Sequence, residues 1–543
     1  MPLSIGLTSI GILTVAFFLV RFILRDHLFP LFPSTPLLGP PRLSLLWGQN
    51  KFLRSLSPDD VGKVYEGWAE KYGAVFRIPQ YLGRSRIVVL DPRAVEVFYE
   101  GETEVFVGTG VAKRFIGDLF GKGLLWAEGE SHRRQRKALA PAFSNTAVRR
   151  LTSVFFDSAY KLKSHWDSLI DAQPNGNHIV DVQSWMNRVA LDSIGIAGFS
   201  HEFGSLDGKP CEVTDAFENL SNARPSPLQN IQFLLGMFLP WVKDWIPTER
   251  GRKLDELKIS LRKVANKLIE RSRVSGVTNS EDKSIIGLLI KAESSEGKLH
   301  MSEEEVLAQN VLLLAGYETT SISLTWALIE LSYNLAVQAK LREELLRNPN
   351  ADRNEDQGME KLPYLDAVVH EVLRMHPPLA ETTRTAATNT TLPLLSPLPG
   401  RHDASVAIQK GETVSVPIVC INRAEAVWGP DAKEFRPERW LEPGDSDAYT
   451  QVSGYRHLLT FSDGQRACLG RGFALAEFKA VLSVLIRNFE FAFPVGPEGK
   501  EPEIRIKREG ILPRPKVVGC AGVEVPLLVR KVDSRFQDFD VLT

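Results

Sequence analysis

The stretch FSDGQRACLG, Phe461 to Gly470, holds one of only four cysteines in a chain of 543 residues. Cys211, Cys420, Cys468 and Cys520 are widely scattered and include no Cys-x-x-Cys pair. A disulfide scaffold or a structural zinc site is therefore not expected. A cysteine ligates metal as the thiolate, which needs a positive or hydrogen-bond-donating setting. Gly464 and Gly470 permit tight backbone turns close to a flat ligand, and N–H groups there can donate to sulfur. Arg466 can pair with a carboxylate on the same ligand, and Phe461 can cover the sulfur. An inert buried cysteine, the ordinary alternative, does not call for Phe, Gly, Arg, Cys and Gly at these spacings.

Three other stretches carry residues with chemistry to offer. In AGYETT, Ala315 to Thr320, the first two residues are small enough for a flat ligand or dioxygen to approach the backbone. Thr319 lies one turn beyond Ala315, so its hydroxyl can bond that carbonyl, and Glu318 offers a carboxylate for relaying protons. Alone, such a run is also what helix packing produces. In HEVLRMHPP, His370 to Pro378, Glu371 and Arg374 are neighbours on one helix face. On a surface such a pair is worth under about 1 kcal/mol. This one sits in an apolar helix closed by Pro377 and Pro378, and FRPERW follows at Phe435 to Trp440. In EGESHRRQRKALAPAFS, Glu128 to Ser144, His132 and Arg136 are one turn apart, with Arg133, Arg134 and Lys137 around the rest of the helix.

FSDGQRACLG resembles the haem-binding loop of the cytochrome P-450 superfamily, Phe-x-x-Gly-x-Arg-x-Cys-x-Gly, at every fixed position. The resemblance implies a mainly α fold with small β-sheets (α+β), haem b as cofactor, and Cys468 as the axial thiolate, whose ligation favours O–O cleavage. Phe461, Gly464, Arg466 and Gly470 then belong to the haem site. AGYETT is similar to the family's central-helix pattern Ala/Gly-Gly-x-Asp/Glu-Thr. That likeness implies that Glu318 and Thr319 deliver protons to the dioxygen being activated, with Ala315 and Gly316 beside the cofactor. Glu-x-x-Arg with Pro-Glu-Arg-Trp resembles the family's buried triad, here Glu371, Arg374 and Arg439, which holds the cysteine loop. The basic helix resembles the Trp-x-x-x-Arg helix, with His132 replacing the usual Trp while keeping an N–H donor. Arg136 and His132 are implied partners of a haem propionate, and Arg384, thirteen residues beyond Glu371, a further one. The remaining basic residues suit docking of an acidic electron donor.

The resemblance covers essentially all of Leu43 to Val532. The length leaves no room for a fused flavin reductase, so electrons are expected from a separate NADPH-cytochrome reductase, with cytochrome b5 as a possible second donor. The implied reaction is RH + O2 + NADPH + H⁺ to ROH, water and NADP⁺. Glu-Gly-Glu-x-His together with Pro-Ala-Phe-Ser resembles fungal, microsomal members and suggests secondary metabolism.

Composition agrees with a globular enzyme: 43% hydrophobic, 24% charged and a formal net charge of -1. That balance does not support a nucleic-acid binder. Leu3 to Val20 carries no charge and, with the apolar run to Leu24, can cross a hydrocarbon core of about 30 Å as a helix. Arg21 and Arg25 follow it, which by the positive-inside tendency keeps the rest of the chain cytosolic. A cleaved signal would show a basic start and a small-residue cleavage site, and neither is evident. Residues 1–28 are thus expected to be a single-pass anchor in the endoplasmic reticulum membrane. Five prolines between Pro30 and Pro41 make residues 29–42 a stiff hinge, and residues 43–543 one domain. Asn219-Leu220-Ser221 and Asn389-Thr390-Thr391 fit the N-glycosylation pattern, which is read only on the lumenal side.

Within the domain, Arg86 to Asp91 and Glu412 to Val419 read as strands, and Asn145 to Ile170 and Leu254 to Arg271 as amphipathic helices. Ser302 and Glu305 form a capping box opening a helix expected to run to about Leu335. The resemblance to the P-450 superfamily implies that the segments around Phe106 to Leu125, around Pro225 to Ile246 and at Gly510 to Leu512 line the substrate pocket. The second of these is aromatic and apolar, either core or a lid that dips into lipid; a lipid-side entrance suits a terpenoid, a sterol or another apolar compound. Two rival activities stay open. Some relatives isomerise or dehydrate oxidised lipids without dioxygen or reductase, and a haem sensor or carrier would not turn over at all.

Overall fold

The structure, a computed structural model, describes Thr14 and residues 35–210, 248–274, 285–294, 299–349, 359–442, 452–494, 503–507, 512–520 and 523–532. The expected anchor, apart from Thr14, lies outside the described residues, as do the start of the hinge, the segment 225–246 and residues 510–511. The described architecture is mainly helical with small sheets, as the sequence leads one to expect.

A five-stranded sheet is built from β1 (Val75–Pro79), β2 (Ser85–Val89), β3 (Phe106–Gly108), β4 (Thr382–Ala386) and β5 (Thr413–Val416), in the order β1-β2-β5-β4-β3. Only the β2–β5 pairing in it is parallel. β5 is shorter than the expected 412–419 because Pro417, which has no N–H to donate, leads into a short helix, Ile418–Asn422. The register sets Arg384 of β4 between Gly108 and Val414. Phe106 is not a pocket residue: it is 1% exposed and packs 4.9 Å from Phe98 in the sheet-side core.

Helices form the larger body. α1 (Pro92–Glu100) starts with proline at its first position and with Asp91 accepting the N–H groups of Arg93 and Ala94. The basic α2 (Gly129–Leu139) leads to α3 (Asn145–Asp171), capped by Ser144. α4 (Val182–Phe199) lies along the central helix.

The capping box is present in both halves: Ser302 accepts the Glu305 N–H at 3.2 Å, and Glu305 accepts the Ser302 N–H at 3.0 Å. The helix it opens is not continuous, however. α5 (Glu303–Leu307) passes through a 3₁₀ turn at Ala308–Asn310 into α6 (Val311–Tyr333). At the turn the Gln309 amide donates to the Glu305 carbonyl and to Gln135 of α2, both at 2.9 Å. Glu303–Tyr333 is long and apolar enough to cross a membrane, but most of its apolar stretch is buried inside the protein, so it reads as a core helix.

α7 (Pro363–Met375) has its first N–H groups, those of Tyr364 and Leu365, satisfied at 2.8 Å by the Glu344 carboxylate of a neighbouring helix. α8 (Arg471–Asn488) packs on α3 and α6. A hairpin of β6 (Ile504–Lys507) and β7 (Arg514–Val517) brings its second strand against α6.

Candidate active site

The cysteine loop runs from the end of the sheet-side core into the first turn of α8. The Cys468 N–H donates to the Phe461 carbonyl at 2.7 Å, which closes the loop. Gly464 has φ +61, and a Cβ there would lie 2.2 Å from the Tyr99 carbonyl oxygen of α1. The close approach of α1 is by itself enough to demand glycine there. Gly470, just before α8, has ordinary backbone angles and nothing nearer than 3.7 Å to an added Cβ, so neither space nor conformation requires glycine there. The Phe461 ring meets Tyr455 edge-on at 6.2 Å.

The backbone N–H groups of Gly470 and Arg471 and the guanidinium groups of Arg136 and Arg471 all favour the negative form of the Cys468 sulfur. Enclosure by protein is the larger influence and pushes the thiol up; the donors and charges pull it back. Yet Cys468 keeps accessible surface.

Cations gather on the same side. His132 is buried, and burial, followed by Arg466, Arg136 and Arg133, brings its pKa down to about 4, so its imidazole is neutral at physiological pH. Arg136 is half-buried and makes no ion pair among the described residues; burial, and to a lesser degree Arg466, disfavours its cation, while Cys468 favours it. Arg466 and Arg384, expected to face haem carboxylates, are each paired within the protein. Arg466 donates to the Glu128 carboxylate and the Ala127 carbonyl. Arg384 pairs with Glu102 at 2.8 Å. The Nε groups of both arginines are buried without a partner. Glu102 is fully buried; burial pushes its carboxyl up, while Arg384 and Arg466 pull it down.

Sequence reasoning missed Glu102 and Glu128 because they are distant in the chain from the arginines they neutralise. It also overcounted the free charges on α2. Arg133 is paired with Glu104 and Glu130, each at 2.7 Å, and Arg134 with Glu305 of the capping box. Lys137 is exposed and makes no ion pair among the described residues.

On α6 the Thr319 hydroxyl donates to the Ala315 carbonyl at 2.6 Å, the bond its one-turn spacing allows. Leu312, Ala315, Gly316 and Thr319 keep partial exposure while Leu313, Leu314, Tyr317, Glu318 and Thr320 are buried. This i, i+3, i+4, i+7 pattern defines one open face. Gly316 has a second constraint: an added Cβ would come within 2.9 Å of Ile194 on α4, so helix packing also requires a small residue. Glu318 turns away from the open face. One of its oxygens, Oε1, accepts Nη2 and Nε of Arg514 at 3.0 and 3.3 Å and the Leu512 N–H at 3.4 Å. Its other oxygen, Oε2, is buried without a partner. Burial pushes the Glu318 carboxyl up, against the pull of Arg514.

Glu371, Arg374 and Arg439 meet as a fully buried cluster. The Glu371 carboxylate accepts Nε and Nη2 of Arg374 at 2.9 and 2.8 Å, and Nε of Arg439, the Arg436 N–H and the Trp440 indole N–H at 2.9 Å each. Arg374 also donates to the carbonyl of Asn422 at 3.0 Å. The Asn422 side chain donates to the Thr460 hydroxyl at 2.8 Å and accepts the Leu459 N–H at 3.0 Å. Thr460 immediately precedes Phe461, so Asn422 and Thr460 tie the cluster to the cysteine loop.

The cytochrome P450 family model matches residues 38–518. This chain belongs to the cytochrome P450 family. It is 53% identical over 540 residues to cytochrome P450 monooxygenase claP of Ampulloclitocybe clavipes, covering 97% of this chain and 99% of that one. Cytochrome P450 monooxygenase claO of the same fungus is 56% identical over 510 residues, covering 92% and 94%. Cytochrome P450 monooxygenase 205 of Postia placenta is 33% identical over 545 residues, covering 96% and 98%. The chain is therefore a monooxygenase of the haem-dependent P450 type with fungal relatives.

The residues of this P450 suit such a group. A sulfur whose negative form is favoured by the N–H groups of a helix start matches a thiolate ligand. Arg136 and the unpartnered Nε groups of Arg384 and Arg466 are spare cationic donors for a group carrying carboxylates.

Proposed function

We propose that this P450 is a membrane-anchored haem-thiolate monooxygenase that oxidises an apolar small molecule, a terpenoid, sterol or other secondary metabolite, with electrons from a separate NADPH-cytochrome reductase. The observation that carries the reading is the Cys468 sulfur, which keeps accessible surface and whose negative form the Gly470 and Arg471 N–H groups and the Arg136 and Arg471 charges favour. Cys468 would ligate the iron, and Arg136, His132, Arg384 and Arg466 would hold the propionates. The bound group supplies reductive activation of dioxygen for insertion into substrate.

The protein's part is to hold charge and move protons. The Gly470 and Arg471 N–H groups and the Arg136 and Arg471 charges stabilise negative sulfur. Neutral His132 offers an N–H without adding a fourth charge to three arginines. Glu318 Oε2, buried and free of partners, is the atom that takes up a proton. Thr319 Oγ1, next in the chain on the open face, gives its own proton to the Ala315 carbonyl and so keeps acceptor lone pairs free to receive and steer a proton there.

Co-expression with a reductase and a terpenoid panel tests the whole reading. Oxidised product should require NADPH and reductase; product formed without either would point to an isomerase or dehydratase instead. Thr319→Ala should retain the haem spectrum but release several-fold more peroxide per NADPH, since a positioned proton donor is worth about 10²–10⁴-fold. Equal product-to-NADPH ratios in the two proteins would remove Thr319 from the relay.

Topology has its own reporter. Asn389 is exposed, though its side-chain oxygen accepts the Lys410 N–H at 2.9 Å; Asn219 lies outside the described residues. With residues 1–28 as anchor and the body cytosolic, neither asparagine should carry a glycan. The protein should resist carbonate extraction from microsomes yet be digested by protease added outside sealed vesicles. A gel shift after endoglycosidase treatment would overturn this orientation.

A further inference from the structure

The Glu318 carboxylate, assigned above to proton uptake, is held by a residue from the far end of the chain. Arg514 opens β7, is 1% exposed, and binds Glu318 Oε1 through two nitrogens at 3.0 and 3.3 Å. Leu512, two residues earlier in the segment expected to line the pocket, donates its N–H to the same oxygen at 3.4 Å. All three contacts converge on one oxygen and leave Oε2 bare. A carboxylate held in this way cannot rotate without losing the whole set, and its two oxygens are no longer equivalent. One is a fixed anchor and the other the site for a proton.

We propose that Arg514 is a positioning residue of the oxidation: it fixes Glu318 through Oε1 and keeps Oε2 as the proton-bearing atom. The inference rests on the proton-relay reading of Glu318. It adds a residue that touches neither substrate nor cofactor in that reading and acts only through the carboxylate. Among the described residues, the titratable group facing this pair is Tyr317 on α6 itself.

The sign of the pH effect follows from burial. Enclosure raises the Glu318 carboxyl, while Arg514 and the Leu512 N–H lower it. A carboxyl raised in the fold contributes stability below its ordinary range and loses that contribution as pH rises through the raised value. Without Arg514 the value rises further, so the loss is larger and extends to higher pH.

The test compares holoprotein with Glu318→Gln, Arg514→Gln, Arg514→Lys and the variant carrying both glutamines. The first measurement is the thermal midpoint against pH and needs no substrate. Arg514→Gln should match the double variant in acid and fall progressively below it towards neutral pH. Wild type should show a smaller deficit against Glu318→Gln, and Arg514→Lys should recover much of the difference. Parallel curves at every pH would overturn the inference. The second measurement is peroxide released per NADPH in reductase-containing vesicles, with 7-ethoxycoumarin as probe. Both single glutamine variants should raise that ratio several-fold, the double variant no further, and Arg514→Lys less. A rise with Glu318→Gln but not with Arg514→Gln overturns the positioning role and leaves the relay standing. Additive effects in the double variant also overturn it, because Arg514 would then act elsewhere. No effect of Glu318→Gln removes the relay and this inference together. If Arg514→Gln does not fold, Arg514→Met takes its place in both measurements: values equal to wild type in each would overturn the role.

Discussion

Cys468→Ser should abolish the red-shifted absorption band of the reduced carbon-monoxide complex that marks thiolate-ligated haem, and with it turnover. Changing a residue that merely supports a metal ligand costs about 10–100-fold, so replacing the ligand itself should cost at least about a hundredfold. A serine hydroxyl is far harder to ionise than a thiol and is a poorer match for iron in a sulfur site. The fold should survive. The bond that closes the loop runs from the Cys468 main-chain N–H to Phe461, and the side chain has accessible surface rather than a role in core packing. Circular dichroism should therefore be unchanged while the band disappears. An unchanged band would remove Cys468 from the haem site and with it the haem-thiolate assignment.

That loop was readable from sequence because its parts lie within ten consecutive residues. Short-range geometry follows from spacing, and the same holds for the Ser302–Glu305 capping box and the Thr319–Ala315 bond. The likeness of Glu-x-x-Arg and Pro-Glu-Arg-Trp to a known buried triad extended this to Arg439. What sequence could not show is which distant group answers each charge. Arg384 and Arg466 looked like free cations because Glu102 and Glu128 belong to other elements. Arg514, the partner of Glu318, lies 196 positions away from it and carries no motif read here.

Glycines were legible as places where something comes close, but not as to what. At Gly464 it is the Tyr99 carbonyl, and at Gly316 it is Ile194. The break before α6 depends on Gln309 reaching Gln135 on another helix, which no periodicity along one segment encodes. Apolar length alone also misleads in the middle of the chain. Glu303–Tyr333 passes the test for a membrane span, yet it is packed among α4, α7 and α8.

Glu371→Ala should give the second large effect, a loss of haem-loaded protein out of proportion to the size of the change. The carboxylate neutralises Arg374 and Arg439 and accepts five hydrogen bonds in a site with no exposed surface. Its removal leaves two buried guanidinium groups short of countercharge. Breaking a buried pair costs about 3–5 kcal/mol, against a total stability of about 5–15 kcal/mol for a folded domain. The loss should not be spread evenly. Arg439 still has Asp431 at 3.2 Å, and Arg374 still has the Asn422 and Glu434 carbonyls at 3.0 and 3.1 Å. Loosening should therefore centre on the segment from Asn422 to Trp440 and pass through the Asn422–Thr460 bond to the cysteine loop. Haem occupancy per polypeptide should fall before global unfolding is complete, and the thermal midpoint should drop with it. Glu343→Ala supplies the contrast, since its ion pair with Arg347 is exposed on both sides and should be worth under about 1 kcal/mol. Normal haem occupancy and an unmoved midpoint in Glu371→Ala would mean that the loop presenting Cys468 holds its shape without this carboxylate.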